Sequence, residues 1–212
     1  MKKITLLFAF GSLFLAGCPK HEIIPAPEAK VSLTSSFNGT INGAVVELTQ
    51  NVDSYALNAT DVKTIFPSPQ LSTANYYAEL KSSQQLVSIR IGLGSVMFDA
   101  SASNGEPGLS AFNSFFTSNL TPNYALSANN GFEVVYRDGS GNVWTSKPTN
   151  PSPAQSVEFN EIVQESDSKG DYSKFKCVFS TYVYRTYEVS PGNFTTDSLL
   201  FSNSTFRGWF KR

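Results

Sequence analysis

The feature of this sequence that most constrains its fold is a succession of short segments in which apolar and polar side chains alternate. The clearest of these segments covers residues 84–93. Its apolar side chains recur at every second position, at Val87, Ile89, Ile91 and Leu93. Ser88 and Arg90 fall between them, and this period of two is typical of a β-strand with one buried face. Aromatic residues make up 13% of the chain and charged residues only 16%, a balance that favours strands over helices.

Turn signals separate the alternating segments. Asn42-Gly43 stands between two such segments and is the strongest short signal for a β-hairpin. Residues 138–141, with the sequence Asp-Gly-Ser-Gly, predict a second hairpin turn. We count roughly ten to twelve strands in this way. Successive hairpins predict one all-β domain over residues 31–212, either an antiparallel β-sandwich or a flattened barrel.

One segment departs from the strand pattern. Leu109, Phe112 and Phe116 recur at helical spacing, and Pro122 prevents a long extension of the helix. The spacing therefore predicts a short helix near residues 109–118 whose aromatic face packs against the sheet. The functional alternative is an aromatic platform for a ligand. Packing is favoured because so short a helix gains its stability from tertiary contacts.

The amino terminus has the layout of a secretory signal peptide. Lys2 and Lys3 precede the uncharged run of residues 4–15, and the small-residue segment Leu15-Ala16-Gly17-Cys18 follows. The run is shorter than the roughly 20 residues that span a bilayer. Residues 1–17 are therefore predicted to be a signal peptide.

The cysteine directly after the cleavage site makes this segment resemble the lipobox of bacterial lipoproteins. The resemblance implies that Cys18 becomes the first mature residue and attaches the protein to a membrane through acyl chains. Prolines at positions 19, 25 and 27 indicate that residues 18–30 form an extended, flexible tether about 35–40 Å long. Pro19 occupies the position where enterobacterial lipoproteins retained in the inner membrane have aspartate, so an outer-membrane location is expected. Periplasmic and cell-surface display both remain open.

The rest of the chain resembles small β-rich lipoprotein families of Bacteroidota from about Asn75 onward. The similar segments are Phe115-Phe116 and residues 131–146, 157–159, 175–179 and 199–210. The family's closing Thr-Asn-Gly-x-Phe pattern is replaced here by residues 201–206, which contain no glycine. The resemblance implies a β domain in the cell envelope and implies no activity.

The sequence lacks the residues that most catalytic and metal sites require. Its one histidine, His21, lies in the predicted tether, so neither a Ser-His-acid triad nor a Cys-His pair with Cys177 is expected in the domain. Cys177 alone cannot form a zinc site, and we expect it to be a buried apolar residue. No cofactor or metal is predicted. No cluster of Lys and Arg indicates nucleic-acid binding.

Carboxylates leave two weaker hypotheses. Asp138, Ser140 and Asn142 alternate as at the start of a calcium loop, but the later bidentate glutamate is missing, so a polar hairpin turn is predicted. A glycan-acting hydrolase would need two acids facing each other in a groove. Its candidate acids lie on predicted strands without a specific pairing: Glu133, Glu158, Glu161 and Glu165.

The sequence therefore predicts a non-enzymatic envelope lipoprotein whose β domain has a binding or structural role. Trp144, Tyr182 and Tyr184 are the candidate recognition residues for an envelope protein or a glycan, and packing between layers is the favoured alternative for them. A second hypothesis is a barrel-like carrier in which the many phenylalanines line a cavity for a small apolar ligand.

Overall fold

The computed structural model describes residues 30–125, 131–148 and 155–212. Within these ranges the chain forms ten strands and one helix. In chain order they are β1 (Ser36–Ile41), β2 (Ala44–Thr49), β3 (Tyr55–Thr64), β4 (Ser72–Ser82), β5 (Ser88–Phe98), α1 (Leu109–Ser118), β6 (Glu133–Arg137), β7 (Val143–Ser146), β8 (Ser156–Asp167), β9 (Gly170–Ser190) and β10 (Asn193–Lys211). In these ranges, no helix has both the length and the hydropathy that a bilayer-spanning segment needs.

All ten strands belong to one antiparallel sheet. Their order is β2-β1-β10-β9-β7-β6-β5-β4-β3, and β8 pairs with β9 beside this path. The two outermost strands, β2 and β3, follow each other in the chain, so residues 50–54 keep the two edges of the sheet close. The sheet therefore curls into a half-barrel. The predicted all-β class with one short helix is confirmed, and of the two predicted architectures the structure adopts the barrel-like one.

The longest strand, β9, organises the wall of the half-barrel. One edge of β9 pairs with β10 over almost its whole length. The other edge is shared, because β8 pairs with residues 170–180 and β7 pairs with Tyr184 and Val183. β6 likewise covers only residues 88–92 of β5. A gap is thus left in the wall between the second half of β5 and the start of β8.

The concave side of the half-barrel is filled by aromatic rings. Eight phenylalanines with at most 4% exposure form this core: Phe37, Phe132, Phe159, Phe175, Phe179, Phe201, Phe206 and Phe210. Neighbouring rings stack or meet edge to face, as Phe175 and Phe210 do at a centroid separation of 4.7 Å. Ile89, Ile91 and Leu93 of β5 are buried with them, as their alternation predicted.

Helix α1 closes the half-barrel beside the gap and has the predicted bounds. Phe112 and Phe116 are buried, and Phe116 stacks on Phe210 with a centroid separation of 4.5 Å. Leu109, which shares this helical spacing, is 40% exposed. It is the first residue of the helix, one turn before the part that packs against the sheet.

Candidate functional site

The gap between β5 and β8 is crossed by residues 119–125, which we call the bridging segment. Three backbone hydrogen bonds hold it to β8 and to Phe132, the residue just before β6. Phe159 N donates to Leu120 O at 2.7 Å, Phe132 N donates to Asn123 O at 2.9 Å, and Ala125 N donates to Phe132 O at 3.1 Å. A segment that lacks strand or helix structure is therefore fixed in place at several points along its length.

Two clefts open on either side of Pro122 and Asn123, which line both of them. The β8 cleft has a volume of about 400 Å³ and is also lined by Tyr124, Pro148, Gln155, Ser156 and Val157. The β5 cleft has a volume of about 420 Å³ and is also lined by Gly94, Ser95, Phe115, Asn119 and Thr121. Both volumes lie in the range of about 300–1,000 Å³ that is usual for small-ligand sites.

The described lining of the two clefts is neutral. It offers side-chain amides, hydroxyls and one half-buried aromatic ring in each cleft, and it contains no carboxylate, lysine or arginine. The phenol of Tyr124 stays protonated, because burial raises its pKa above the ordinary tyrosine value. Such a lining can donate and accept hydrogen bonds but cannot compensate a formal charge on a ligand.

Tyr124 is held firmly at the wall of the β8 cleft. Its hydroxyl donates to Ser156 O at 2.8 Å and lies 3.3 Å from Ser180 O. Its ring meets Phe132 edge to face at 5.1 Å. Gln155 is held in a similar way, since its Nε2 donates to Lys147 O at 3.0 Å and to Thr181 Oγ1 at 3.3 Å. Two of the residues that line the β8 cleft are therefore held in place by hydrogen bonds within the protein.

The helix end forms the floor of the β5 cleft. Asn119 ends α1, and both its backbone N and its side-chain Nδ2 donate to Phe115 O, at 3.2 and 2.7 Å. These two hydrogen bonds to the same carbonyl oxygen terminate the helix, and the chain continues into the bridging segment. Phe115, one turn earlier, is half-buried beside the cleft and meets Phe116 edge to face at 5.1 Å.

The structure separates the three predicted recognition residues. Tyr182 and Tyr184 lie on the outer face of β9, half-exposed on either side of buried Val183, with ring centroids 6.4 Å apart. Lys147 Nζ lies 5.2 Å from the Tyr184 ring centroid, within cation–π range. Trp144 pairs with buried Tyr136 and is only 7% exposed. For Trp144 this burial agrees with packing, the alternative that the sequence favoured, and not with a role in surface recognition.

The structure describes only one of the two cysteines. Cys18, the predicted lipidation site, lies outside the described residues. Cys177 is fully buried on β9 without a disulfide, and burial raises the pKa of its thiol well above the ordinary value. An uncharged, inaccessible thiol is a poor nucleophile, which agrees with its expected role as a core residue.

The calcium-like sequence at Asp138 is a satisfied hairpin turn. Asp138 Oδ1 accepts hydrogen bonds from the backbone N of Ser140 and of Asn142, both at 2.9 Å. Its Oδ2 accepts from Asn142 Nδ2 and from Trp144 Nε1, both at 3.0 Å. The carboxylate is thus occupied by its own turn. Among the described residues, no group of three or more His, Cys, Asp or Glu side chains is placed to hold a metal ion.

Three of the four candidate acids form ion pairs with nearby cations. Glu161 lies 2.6 Å from Arg207 and 3.2 Å from Lys176, while Glu165 lies 2.6 Å from Lys174. Glu133 lies 3.4 Å from Arg90. These pairs bind strands to one another across the outer face. They give the hydrolase hypothesis no support.

Sequence reasoning did not single out the cleft residues. Asn119, Thr121, Pro122 and Asn123 have turn-forming chemistry, which predicts a loop after α1 but not what the loop contacts. Gln155 and Tyr124 reach the same cleft only because β8 and the bridging segment meet in the gap. No local sequence pattern predicts that β8 and the bridging segment lie side by side.

Comparison with protein-family models, curated proteins and solved structures found no match for this chain.

Proposed function

We propose that this protein is a lipid-anchored envelope protein, attached to the outer membrane through acyl chains on Cys18, whose β domain is a non-enzymatic binding module. The signal-like amino terminus and the cysteine after it support the anchor. The pair of neutral clefts is the observation that supports binding.

The position of the first described residues is compatible with a tether from Cys18. Val31 N donates to Asp167 Oδ2 at 3.0 Å, at the turn between β8 and β9. The first described residues therefore lie at the end of the domain where β9 begins. The β9–β10 hairpin turn lies at the far end of the same strand, with Val189 and Phe194 exposed.

The carrier hypothesis places a small apolar ligand inside the barrel. That ligand would have to displace the phenylalanine core, whose rings pack at separations such as 5.8 Å between Phe132 and Phe179 and 6.2 Å between Phe179 and Phe201. Displacing packed core rings is costly. Binding is therefore expected in the outer clefts and not on the concave side.

Labelling with radioactive palmitate tests the anchor, and the two cysteines provide a matched pair of variants. Cys18→Ala is expected to abolish labelling, because it removes the acylated thiol. Cys177→Ala is expected to keep full labelling, because Cys177 is buried in the folded domain. Equal label in wild type and Cys18→Ala would refute the anchor.

A further inference from the structure

We infer that the two clefts together bind a neutral oligosaccharide, which lies across Pro122 and Asn123 with sugar rings against Phe115 and Tyr124. The inference deepens the binding role proposed above by naming the ligand class and the residues that contact it. It does not depend on the lipid anchor.

The lining of the clefts matches the chemistry of sugars. A neutral sugar presents hydroxyl groups, which both donate and accept, and apolar ring faces. Asn123 supplies an exposed amide that can donate and accept, whereas Nδ2 of Asn119 and Nε2 of Gln155 already donate within the protein; Thr121, Ser95 and Ser156 line the clefts beside them. Phe115 and Tyr124 supply one half-buried aromatic ring on each side of the ridge.

Neutrality of the lining selects against charged ligands. A phosphate, an acidic sugar or a basic peptide would give up hydration on entering either cleft, and the described lining offers no opposite charge in return. An uncharged polyhydroxylated ligand carries no formal charge to desolvate, and the Asn123 amide can exchange hydrogen bonds with its hydroxyl groups.

An extended peptide fits the clefts less well. Peptides that bind sheets usually add a strand to an open edge. At this point the edge of β8 is already occupied, because Phe159 N donates to Leu120 O of the bridging segment at 2.7 Å. The backbone N–H of Phe159 is therefore not available to a peptide, and a ligand at this point of β8 would contact side chains.

Shape indicates a ligand longer than one sugar. Each cleft has the volume of a small-ligand site, and the two share Pro122 and Asn123 as a common ridge. Asn123 is exposed on that ridge while its backbone is fixed by Phe132 N. A chain of several sugars can lie in both clefts at once and contact the Asn123 side chain between them. Because Tyr124, Gln155 and the backbone of the bridging segment are already held by hydrogen bonds, they add little ordering cost on binding.

Titration of the full chain, solubilised in a detergent without a sugar headgroup, tests the inference. The probes are four neutral hexasaccharides, namely malto-, cello-, laminari- and N-acetylchitohexaose, together with oligogalacturonate and an uncharged Gly-Asn-Ser peptide. At least one neutral hexasaccharide is expected to bind with Kd of about 0.1–1 mM, because the clefts are open and the contacts few. The oligogalacturonate and the peptide are expected to bind at least tenfold more weakly.

Two asparagine variants decide whether binding occurs in the clefts. Asn123→Ala is expected to weaken binding of the hexasaccharide about tenfold, through loss of hydrogen bonds on the ridge. Asn193→Ala, at an exposed position where β10 begins, is expected to leave it unchanged. Absence of binding by all four hexasaccharides, preference for the charged or peptide probe, or equal effects of the two variants would overturn the inference. The palmitate experiment is independent, so the anchor and the glycan site can fail separately.

Discussion

The indole Nε1 of Trp144 donates a 3.0 Å hydrogen bond to Oδ2 of Asp138, across the turn that joins β6 to β7. This bond gives a buried indole its polar partner and explains why Trp144 can lie inside the domain. Together with three donors from Ser140 and Asn142, it makes the Asp138 carboxylate the centre of the hairpin.

Removal of this carboxylate should weaken the domain. Asp138→Ala is expected to lower the free energy of unfolding by about 2 kcal/mol, because it leaves the buried indole N–H and two backbone N–H groups without their acceptor. Ser140→Ala keeps the backbone donor and should change stability by less than about 0.5 kcal/mol. Urea denaturation of both variants checks this, and equal midpoints for the two would contradict it.

The same carboxylate should contribute to the pH dependence of stability. Burial acts to raise the pKa of Asp138, but the hydrogen bonds from Trp144, Asn142 and Ser140 prevail and hold this pKa below its ordinary value. A carboxylate with a lowered folded-state pKa stabilises the protein above its unfolded-state pKa, near 3.9, and loses that effect as pH falls through the folded-state pKa.

The expected result is a stability difference between wild type and Asp138→Asn that is constant from about pH 7 to 5 and shrinks below about pH 4. Urea denaturation over this pH series measures it. A difference that stays the same down to the lowest pH at which the protein folds would show that the carboxylate charge does not contribute.

Gly208 allows β10 to approach β3 closely. A Cβ at this position would lie 2.6 Å from Leu57 Cδ1 and 2.8 Å from Phe206 Cε1. Phe206 stacks on Phe175 and cannot easily move. Gly208→Ala is therefore expected to destabilise the domain by about 1–3 kcal/mol through overpacking.

Gly139 provides the control for this substitution. A Cβ there would meet only Val87 Cγ2, at an ordinary contact distance of 3.9 Å. Gly139→Ala should therefore leave the thermal midpoint nearly unchanged, while Gly208→Ala lowers it. The close approach would be ruled out as important if both alanine variants melted like the wild type.

Phe116 joins helix α1 to the core. It stacks on Phe210 at 4.5 Å and meets Phe112 edge to face at 4.9 Å. Phe116→Ala is expected to cost about 3–5 kcal/mol, since it removes a buried ring and leaves a cavity. Leu109→Ala, on the exposed start of the same helix, should cost about 0.5 kcal/mol or less. Calorimetry on the two variants separates the core contribution from helix propensity.

The sequence allowed the helix and the strand-rich class to be predicted because both depend on local periodicity. The bounds of α1 follow from a three-to-four-residue repeat of aromatic side chains with proline beyond it. The same spacing includes Leu109, which is exposed, so periodicity alone does not show where the packed face begins.

Strand boundaries were harder to predict where a strand contains an irregularity. Taken alone, the apolar residues in 199–202 and 205–211 predict two separate strands, whereas β10 runs unbroken from Asn193 to Lys211. A bulge between Phe201 and Ser204, with Asn203 at a φ of 50°, shifts the register within the strand. Asparagine tolerates this left-handed conformation and is common in turns. The sequence therefore predicts a turn at this position, although the strand continues through a bulge.

By itself, the sequence determined a strand-rich domain of hairpins with one aromatic helix, because alternation, helical spacing and turn residues act over a few neighbouring positions. Only the tertiary structure decided that β9 divides its edge between β7 and β8, that Trp144 points inward, and that residues 119–125 cross the gap between two clefts. These outcomes depend on pairings between segments far apart in the chain. Their energies come from packing and shared hydrogen bonds, which no short stretch of sequence contains.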